Sequence, residues 1–102
     1  MSAVKPILGI IGGGQLGSML ASAAKKINIK TVVISDDETA PAKNFCDKFI
    51  YAKYNNENKI DEFIQSSNIV TFEFENIPYE TLKKISQKRP IFPDPVSYTH
   101  LR

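Results

Sequence analysis

The stretch from Gly9 to Ala24, GIIGGGQLGSMLASAA, most constrains what this chain can fold into. An apolar run over residues 7–11 leads into a cluster of four glycines, and apolar residues then recur at helical spacing. The four are Gly12, Gly13, Gly14 and Gly17. The spacing Gly12-x-Gly14-x-x-Gly17 is typical of a strand–loop–helix turn whose backbone comes close to a phosphorylated ligand. The stretch therefore predicts a βα unit with an anion-binding loop, and a plain glycine turn is the alternative.

Three of these glycines have a specific expected role. Gly12 would let the chain leave the strand with a positive φ, which costs little without a Cβ atom. Gly14 would leave room for a ligand against the main chain, and Gly17 would let the helix lie close to the sheet. The unpaired N–H groups and the dipole of the helix start would favour an anion there.

Strand and helix patterns alternate along the rest of the chain. Apolar and β-branched runs predict strands at residues 5–11, 31–35, 49–54, 69–74 and 90–93. Helical spacing predicts helices at 15–27 and 79–87, and another that lies between a polar turn at 55–58 and a stop at 66–68. Pro41 starts a short helix within 40–47. One helical stripe is expected to pack in the core: Leu16, Met19, Leu20, Ala23 and Ala24. The order predicts an α/β fold with a mainly parallel sheet covered by helices on both faces.

Composition excludes several classes of function. The chain of 102 residues has 13 basic and 11 acidic side chains, well mixed, for a net charge of +2. That balance does not favour nucleic acid, and no apolar run is long enough for a membrane span. Cys46 is the single cysteine, so it is expected to be a half-buried packing residue in a reduced, cytoplasmic protein. No cluster of metal-ligating residues appears.

Acidic residues follow two of the predicted strands. Glu73, Glu75 and Asn76 come at the end of the fourth strand, and Asp36 follows the second. Ligands of open α/β sheets collect beyond the carboxyl ends of the strands, where the glycine loop also lies. Glu73 or Glu75 is expected to accept hydrogen bonds from a ligand while the loop amides hold its anionic side; an acidic surface turn is the alternative. Asp36 has the spacing of a carboxylate that holds a ribose, or of an ordinary turn residue.

Three segments together carry a resemblance to a known family. They are the glycine stretch 9–24, the tripeptide Ala40-Pro41-Ala42, and the octapeptide TFEFENIP at 71–78. In this order and spacing they resemble the 5-(carboxyamino)imidazole ribonucleotide synthases, which are ATP-grasp ligases of purine biosynthesis. The resemblance covers residues 4–93 and implies a Rossmann-like pre-ATP-grasp domain that does not bind a dinucleotide.

The resemblance also implies ligands for a full-length protein and roles for individual residues of this chain. In that family ATP, Mg²⁺ and bicarbonate are used to carboxylate the exocyclic amine of aminoimidazole ribonucleotide. Gln15 and Leu16 would lie against the substrate ribose, largely through their backbone, beside Gly14. Glu73 would be the carboxylate on the substrate, and Glu75 and Asn76 would shape the corner. The family is often dimeric, so a homodimer is one expected assembly of a full-length protein.

Two departures from the family pattern shape the expected organisation. The residues that bind ATP and Mg²⁺ in the family lie beyond this segment, so no catalytic residue is assigned here and the fragment alone is expected to be inactive. Residues 1–95 are expected to form the pre-ATP-grasp domain. Residues 96–102 are expected to be a non-native tail, in which residues 97–102 resemble adapter-derived read-through, so His100 is expected to have no function. Two other functions stay open: an NAD(P)-binding domain of an oxidoreductase, and a binding module without chemistry.

Overall fold

A computed structural model of the chain describes residues 5–73 and 77–93, in which short strands alternate with helices. The strands are β1 (Leu8–Ile11), β2 (Thr31–Ser35), β3 (Lys48–Tyr51), β4 (Ile69–Phe72) and β5 (Ile91–Phe92). The α-helices are α1 (Gln15–Lys26), α2 (Glu57–Ser66) and α3 (Tyr79–Ser86), and Pro41–Asn44 forms a 3-10 helix between β2 and β3.

The strands form one parallel sheet in the order β3-β2-β1-β4-β5. The central strand β1 pairs with β2 on one side and with β4 on the other, and Ile11 lies opposite both Ile34 and Phe72. This arrangement confirms the predicted α/β fold. Because all strands run the same way, the segments that follow β1 and β4 leave the sheet side by side at its carboxyl end.

Each face of the sheet has its own hydrophobic cluster. Alternate strand residues such as Ile11 and Phe72 pack against α2 and α3, with Phe63 fully buried among them. The residues between them, such as Ile10, pack on the other face against Ala21 of α1. Fully burying one such large apolar side chain contributes about 1.5–3 kcal/mol. The two clusters fix the sheet between two layers of helix, as predicted.

Helix α1 does not bury the stripe that its sequence predicts. Met19 is 60% exposed, Leu16 is 42% exposed and Ala23 is also exposed. The buried residues of α1 are Gly17, Ala21 and Ala24. The prediction is confirmed for Ala24, which is buried, and for Leu20, which packs half-buried against the cluster under α1. It is wrong for Leu16, Met19 and Ala23, because α1 lies so close to the sheet that Gly17 and Ala21 fill its inner face.

Several ends of strands and helices differ from the predicted bounds. Helix α2 starts at Glu57, inside the predicted polar turn, because the side chain of Asn56 accepts a hydrogen bond from the N–H of Lys59 and caps the helix there. β1 starts at Leu8, where pairing to both neighbours begins, and not at residue 5. β3 ends at Tyr51 because its paired neighbour, β2, ends opposite it at Ser35. Residue 74, the predicted end of the fourth strand, lies outside the described residues. Strand length is thus set by the neighbouring strand as well as by local sequence.

Helix α1 ends at a residue with a left-handed backbone. Asn28 has φ 61, its N–H donates to the carbonyl of Lys25, and the N–H of Ile29 donates to the carbonyl of Ala24. This pair of bonds is a Schellman motif, which satisfies carbonyls at the end of a helix. The helix, predicted to end at residue 27, thus ends within one residue of that position. None of the helices within residues 5–73 and 77–93 is both long and apolar enough to cross a membrane.

Candidate functional site

The glycine loop turns away from the sheet directly after β1. Gly12 has φ +102, the positive value predicted for it, and its N–H still donates to the carbonyl of Ile34 at 2.8 Å. On the far side of the loop, the carbonyl of Gly13 accepts a hydrogen bond from the N–H of Ala42 at 3.0 Å. The loop is therefore held between the neighbouring strand β2 and the 3-10 helix.

Glu73 lies immediately after β4 and reaches into this loop. Its N–H donates to the carbonyl of Ile11 at 3.0 Å, which continues the pairing of β4 with β1. Its carboxylate accepts from the N–H of Gly14 at 2.8 Å through Oε2, and from the N–H of Gly17 at 3.0 Å through Oε1. The residue is only 4% exposed. A buried carboxylate from a distant segment thus caps the start of α1.

This contact explains two of the glycines. A Cβ atom on Gly12 would lie 2.7 Å from Oε2 of Glu73. A Cβ atom on Gly17 would overlap the carbonyl oxygen of Gly12, so the close approach predicted for Gly17 is confirmed. The loop backbone and the carboxylate leave no room for a side chain between them.

The glycine loop and Glu73 lie together, as their positions predict, but their hydrogen bonds are made to each other. The sequence predicts that the loop amides and Glu73 hold different parts of one ligand. In the structure the amides of Gly14 and Gly17 are already bound to the Glu73 carboxylate. The chain itself therefore supplies the anion at these two amides.

The N–H groups of the two residues between Gly14 and Gly17 have a different environment. Gln15 and Leu16, the first two residues of α1, are exposed. Among the described residues, no acceptor is hydrogen-bonded to the N–H of either one. Gln15 and Leu16 are thus exposed, and they lie between the two glycines whose N–H groups donate to Glu73. Glu75 and Asn76, also predicted for this corner, lie outside the described residues.

The acidic residues after β2 form a separate feature. Asp36 is exposed and lines an open cavity of about 490 Å³ together with Tyr51 at the end of β3, the residues 52–55 that follow it, and Pro78. Asp37 accepts hydrogen bonds from the hydroxyl and the N–H of Thr39, and these bonds lower the pKa of its carboxyl. Neither the glycine loop nor Glu73 lines this cavity.

The remaining predicted residues are placed as follows. Cys46 is half-buried against the cluster under α1, as predicted, and burial raises the pKa of its thiol. His100 lies outside the described residues. Within residues 5–73 and 77–93, no three or more His, Cys, Asp or Glu side chains group in a way that could hold a metal ion.

Sequence reasoning missed the bond between Glu73 and the loop, although a signal for it was present. The start of α1 carries no acidic residue in its first turn and no capping side chain at Gly14. The first N–H groups of a helix need acceptors. A helix start with no acceptor of its own, facing a predicted acid, is consistent with a carboxylate reaching across from another segment.

Comparison with known proteins identifies the relatives of this arrangement. The family described as ribonucleotide synthetase preATP-grasp domain matches residues 5–100. N5-carboxyaminoimidazole ribonucleotide synthase of Staphylococcus epidermidis is 44% identical over 80 residues, which are 78% of this chain and 21% of that protein. The chain therefore spans about a fifth of the length of such relatives.

Solved structures agree with the sequence relatives. N5-carboxyaminoimidazole synthetase of Staphylococcus aureus superposes with a TM-score of 0.80 at 40% identity, over 86% of this chain and 24% of that one. The Aspergillus clavatus N5-carboxyaminoimidazole synthase, solved with ADP and 5-aminoimidazole ribonucleotide, superposes with a TM-score of 0.77 at 26% identity, over 90% of this chain and 25% of that one.

Proposed function

Because this chain belongs to the ribonucleotide synthetase preATP-grasp domain family, we propose that it is the N-terminal, substrate-binding part of an ATP-dependent ligase. The full-length enzyme would carboxylate 5-aminoimidazole ribonucleotide with bicarbonate in purine biosynthesis. The matched relatives carry this name, and the chain spans 21% of one of them. The fragment alone would bind substrate without turning it over.

One observation carries the proposal. The glycine loop and Glu73, 59 residues apart at Gly14, meet at the carboxyl end of β1 and β4. Ligands of open α/β sheets bind beyond this edge. The related structure from Aspergillus clavatus, solved with ADP and 5-aminoimidazole ribonucleotide, has the same fold over 90% of this chain. The site and the family therefore support the same class of ligand.

The proposed substrate-binding residues are those that the sequence predicts. Gln15 and Leu16 would contact the ribonucleotide, since both are exposed at the start of α1. Gly14 and Glu73 belong to the set as the pair that fixes the loop. Glu75 and Asn76 complete the proposed set on the strength of the resemblance.

The remaining components belong to the full-length protein. ATP and Mg²⁺ would bind outside residues 1–102, where ATP would activate bicarbonate for transfer to the substrate amine. Related structures were solved with ADP and with ATP. A homodimer and a cytoplasmic location are further parts of the proposal; a single cysteine fits a reducing compartment.

An NAD(P)-binding domain is the second candidate, favoured by the spacing Gly12-x-Gly14-x-x-Gly17 and by Asp36. Dinucleotide-binding loops place the pyrophosphate on the amides of the helix start. Here the Glu73 carboxylate accepts from two of those amides. A pyrophosphate would have to lie beside a buried negative charge, so the loop disfavours this candidate.

Isothermal titration calorimetry on the 102-residue chain separates the two candidates. We expect saturable binding of 5-aminoimidazole ribonucleotide and no heat with NAD or NADP. The opposite result, saturation with a dinucleotide and none with the ribonucleotide, would overturn the proposal.

A chimera tests the activity itself. Residues 1–93 would replace the corresponding segment of the Staphylococcus aureus enzyme, which the fold match at TM-score 0.80 allows. We expect ATP- and bicarbonate-dependent carboxylation of 5-aminoimidazole ribonucleotide. A folded chimera that binds ATP but does not bind the ribonucleotide would count against a substrate-binding role for this segment.

A further inference from the structure

The open cavity of about 490 Å³ that Asp36 lines is built by segments that follow three different strands. Asp36 follows β2, residues 51–55 end and follow β3, and Pro78 lies between β4 and α3. The volume is within the range of sites that bind small molecules. Because neither the glycine loop nor Glu73 lines this cavity, it is separate from the site proposed for the ribonucleotide.

The wall of the cavity that follows β3 is held in place by hydrogen bonds. The N–H of Ala52 donates to the carbonyl of Ser35 at 3.0 Å, which continues the pairing of β3 with β2. The hydroxyl of Thr81 in α3 donates to the carbonyl of Tyr54 at 2.7 Å. This segment is thus tied to the sheet and to a helix, so a ligand would not have to order it on binding.

Two opposite charges line the cavity without contacting each other. Asp36 and Lys53 are both exposed, and the side chain of neither one makes an ion pair or a hydrogen bond in the described part of the chain. A ligand with one ammonium and one carboxylate group can pair with both side chains at once. A ligand with a single charge would leave one of the two without a partner.

Apolar surface adjoins the two charges. The side chain of Tyr51 is 55% exposed, and the proline ring of Pro78 is exposed in the same cavity. Aromatic rings pack favourably on tyrosine, beyond the area that they bury. The cavity therefore offers a place for a ring as well as for two charged groups.

We propose that this cavity binds a zwitterionic amino acid with an aromatic side chain. The ammonium group of the ligand pairs with Asp36, its carboxylate pairs with Lys53, and its ring packs on Tyr51. This site lies at the same edge of the sheet as the proposed ribonucleotide site but shares no residue with it, and it does not rest on the proposed function.

The alternative role of Asp36, as the carboxylate that holds a ribose, is less well supported. In a dinucleotide-binding fold the phosphates that follow such a ribose lie on the amides of the glycine loop. Here the N–H groups of Gly14 and Gly17 donate to Glu73. The unpaired Lys53 beside Asp36 instead fits a ligand whose anionic group lies within the cavity itself.

Nuclear magnetic resonance of the ¹⁵N-labelled 102-residue chain tests the proposal, with L-phenylalanine as the probe. We expect saturable shifts of the amide signals of residues 51–55 and none at Gly14. Phenylpropionate lacks the ammonium group, phenylethylamine lacks the carboxylate, and L-alanine lacks the ring, so each should bind about tenfold more weakly or less. If L-phenylalanine gave no saturable shift, or if all four compounds bound equally well, the proposal would be overturned. Saturation by adenosine monophosphate without saturation by L-phenylalanine would also overturn it, in favour of the ribose role.

Charge variants test the two contacts separately. Asp36→Asn and Lys53→Gln should each weaken the binding of L-phenylalanine about tenfold, because each loses one charge-assisted hydrogen bond. Asp36→Asn should also lose the preference over phenylpropionate, and Lys53→Gln should lose the preference over phenylethylamine. Glu38→Gln and Lys83→Gln are the matched controls, since both residues are exposed and neither lines this cavity. Equal weakening by the controls would show a nonspecific effect of charge and would refute the proposed contacts.

A competition experiment separates this proposal from the proposed function. We expect 5-aminoimidazole ribonucleotide to leave the binding of L-phenylalanine unchanged. Displacement of L-phenylalanine by the ribonucleotide would overturn the assignment of a separate site. If L-phenylalanine binds as expected and the ribonucleotide does not bind at all, the proposed function fails and the amino-acid site stands.

Discussion

The carboxylate of Glu73 and the N–H of Gly17 are 56 residues apart in sequence and 3.0 Å apart in the structure. This bond, together with the one to Gly14, joins the two segments of the chain that leave β1 and β4. The loop that the glycines permit therefore depends for its shape on an acid that follows the neighbouring strand β4. Its backbone is arranged by a tertiary contact, and glycine alone would leave it free to adopt other conformations.

Gly17→Ala is expected to destabilise the chain. Its new Cβ atom would overlap the carbonyl oxygen of Gly12, and backbone on both sides cannot move without disturbing the bonds to Glu73. We expect the free energy of unfolding in urea to fall by about 2 kcal/mol or more, in the range of overpacked cores. Ser22→Ala in the same helix is the matched control and should change it little. Equal stabilities for the two variants would contradict the close packing of α1.

Two substitutions of Asn28 should change the free energy of unfolding in opposite directions. The residue has φ 61, which glycine adopts without cost and which alanine resists. Asn28→Gly should raise the free energy of unfolding by about 0.5 kcal/mol, and Asn28→Ala should lower it by about 1 kcal/mol. Thermal unfolding of both variants measures the difference. A more stable alanine variant would mean that the helix does not end in the left-handed conformation.

Thr31→Val should stabilise the chain. Thr31 is 1% exposed, and its Oγ1 has no hydrogen-bond partner in the described part of the chain. Valine has nearly the same shape and removes a buried polar atom, so the free energy of unfolding should rise by about 1 kcal/mol. Thr71→Val on strand β4 of the same sheet is the control, since Thr71 is half-buried. A loss of stability in Thr31→Val would show that the hydroxyl has a partner after all.

Cys46 should react slowly with iodoacetamide at pH 8. Burial raises the pKa of its thiol, so the folded chain has less of the reactive thiolate than free cysteine has at the same pH. The rate should keep rising with pH after that of free cysteine has levelled off. In concentrated urea, Cys46 should react with iodoacetamide as fast as free cysteine does. Alkylation of the folded chain as fast as that of free cysteine would contradict the effect of burial.

The order and type of the elements could be predicted because apolar periodicity carries that information. The short β-branched run at β2, Thr31–Ser35, has the bounds predicted for it. The ends of β1 and β3 could not be predicted in the same way, because each strand ends where its neighbour stops pairing. Local sequence does not specify where the neighbouring strand stops pairing.

The predicted stripe of α1 shows a different limit. Hydrophobicity placed Leu16 and Met19 inside, whereas the structure buries Gly17 and Ala21. The inner face of this helix is selected by size, because the loop and sheet lie too close for larger side chains. A hydrophobic pattern records how apolar each residue is but does not record how much space its neighbours leave.

The position of the candidate site could be predicted from the sequence, but its hydrogen bonds could not. Parallel strands bring Glu73 and the glycine loop to one edge of the sheet, which follows from topology alone. That the acid would accept from Gly14 and Gly17, and leave Gln15 and Leu16 exposed, depends on side-chain reach and on the turn at Gly12. These are tertiary distances, and no pattern in one segment contains them.

The separation between Glu73 and the loop has a consequence for synthesis on the ribosome. Strands β1 and β2 and helix α1 emerge long before residue 73, so a growing chain can pair its first two strands while the start of α1 still lacks its acceptor. The loop can take its final form only after β4 has joined β1. Docking of β4 onto β1 and formation of the contact between Glu73 and the glycine loop are thus one event during biosynthesis.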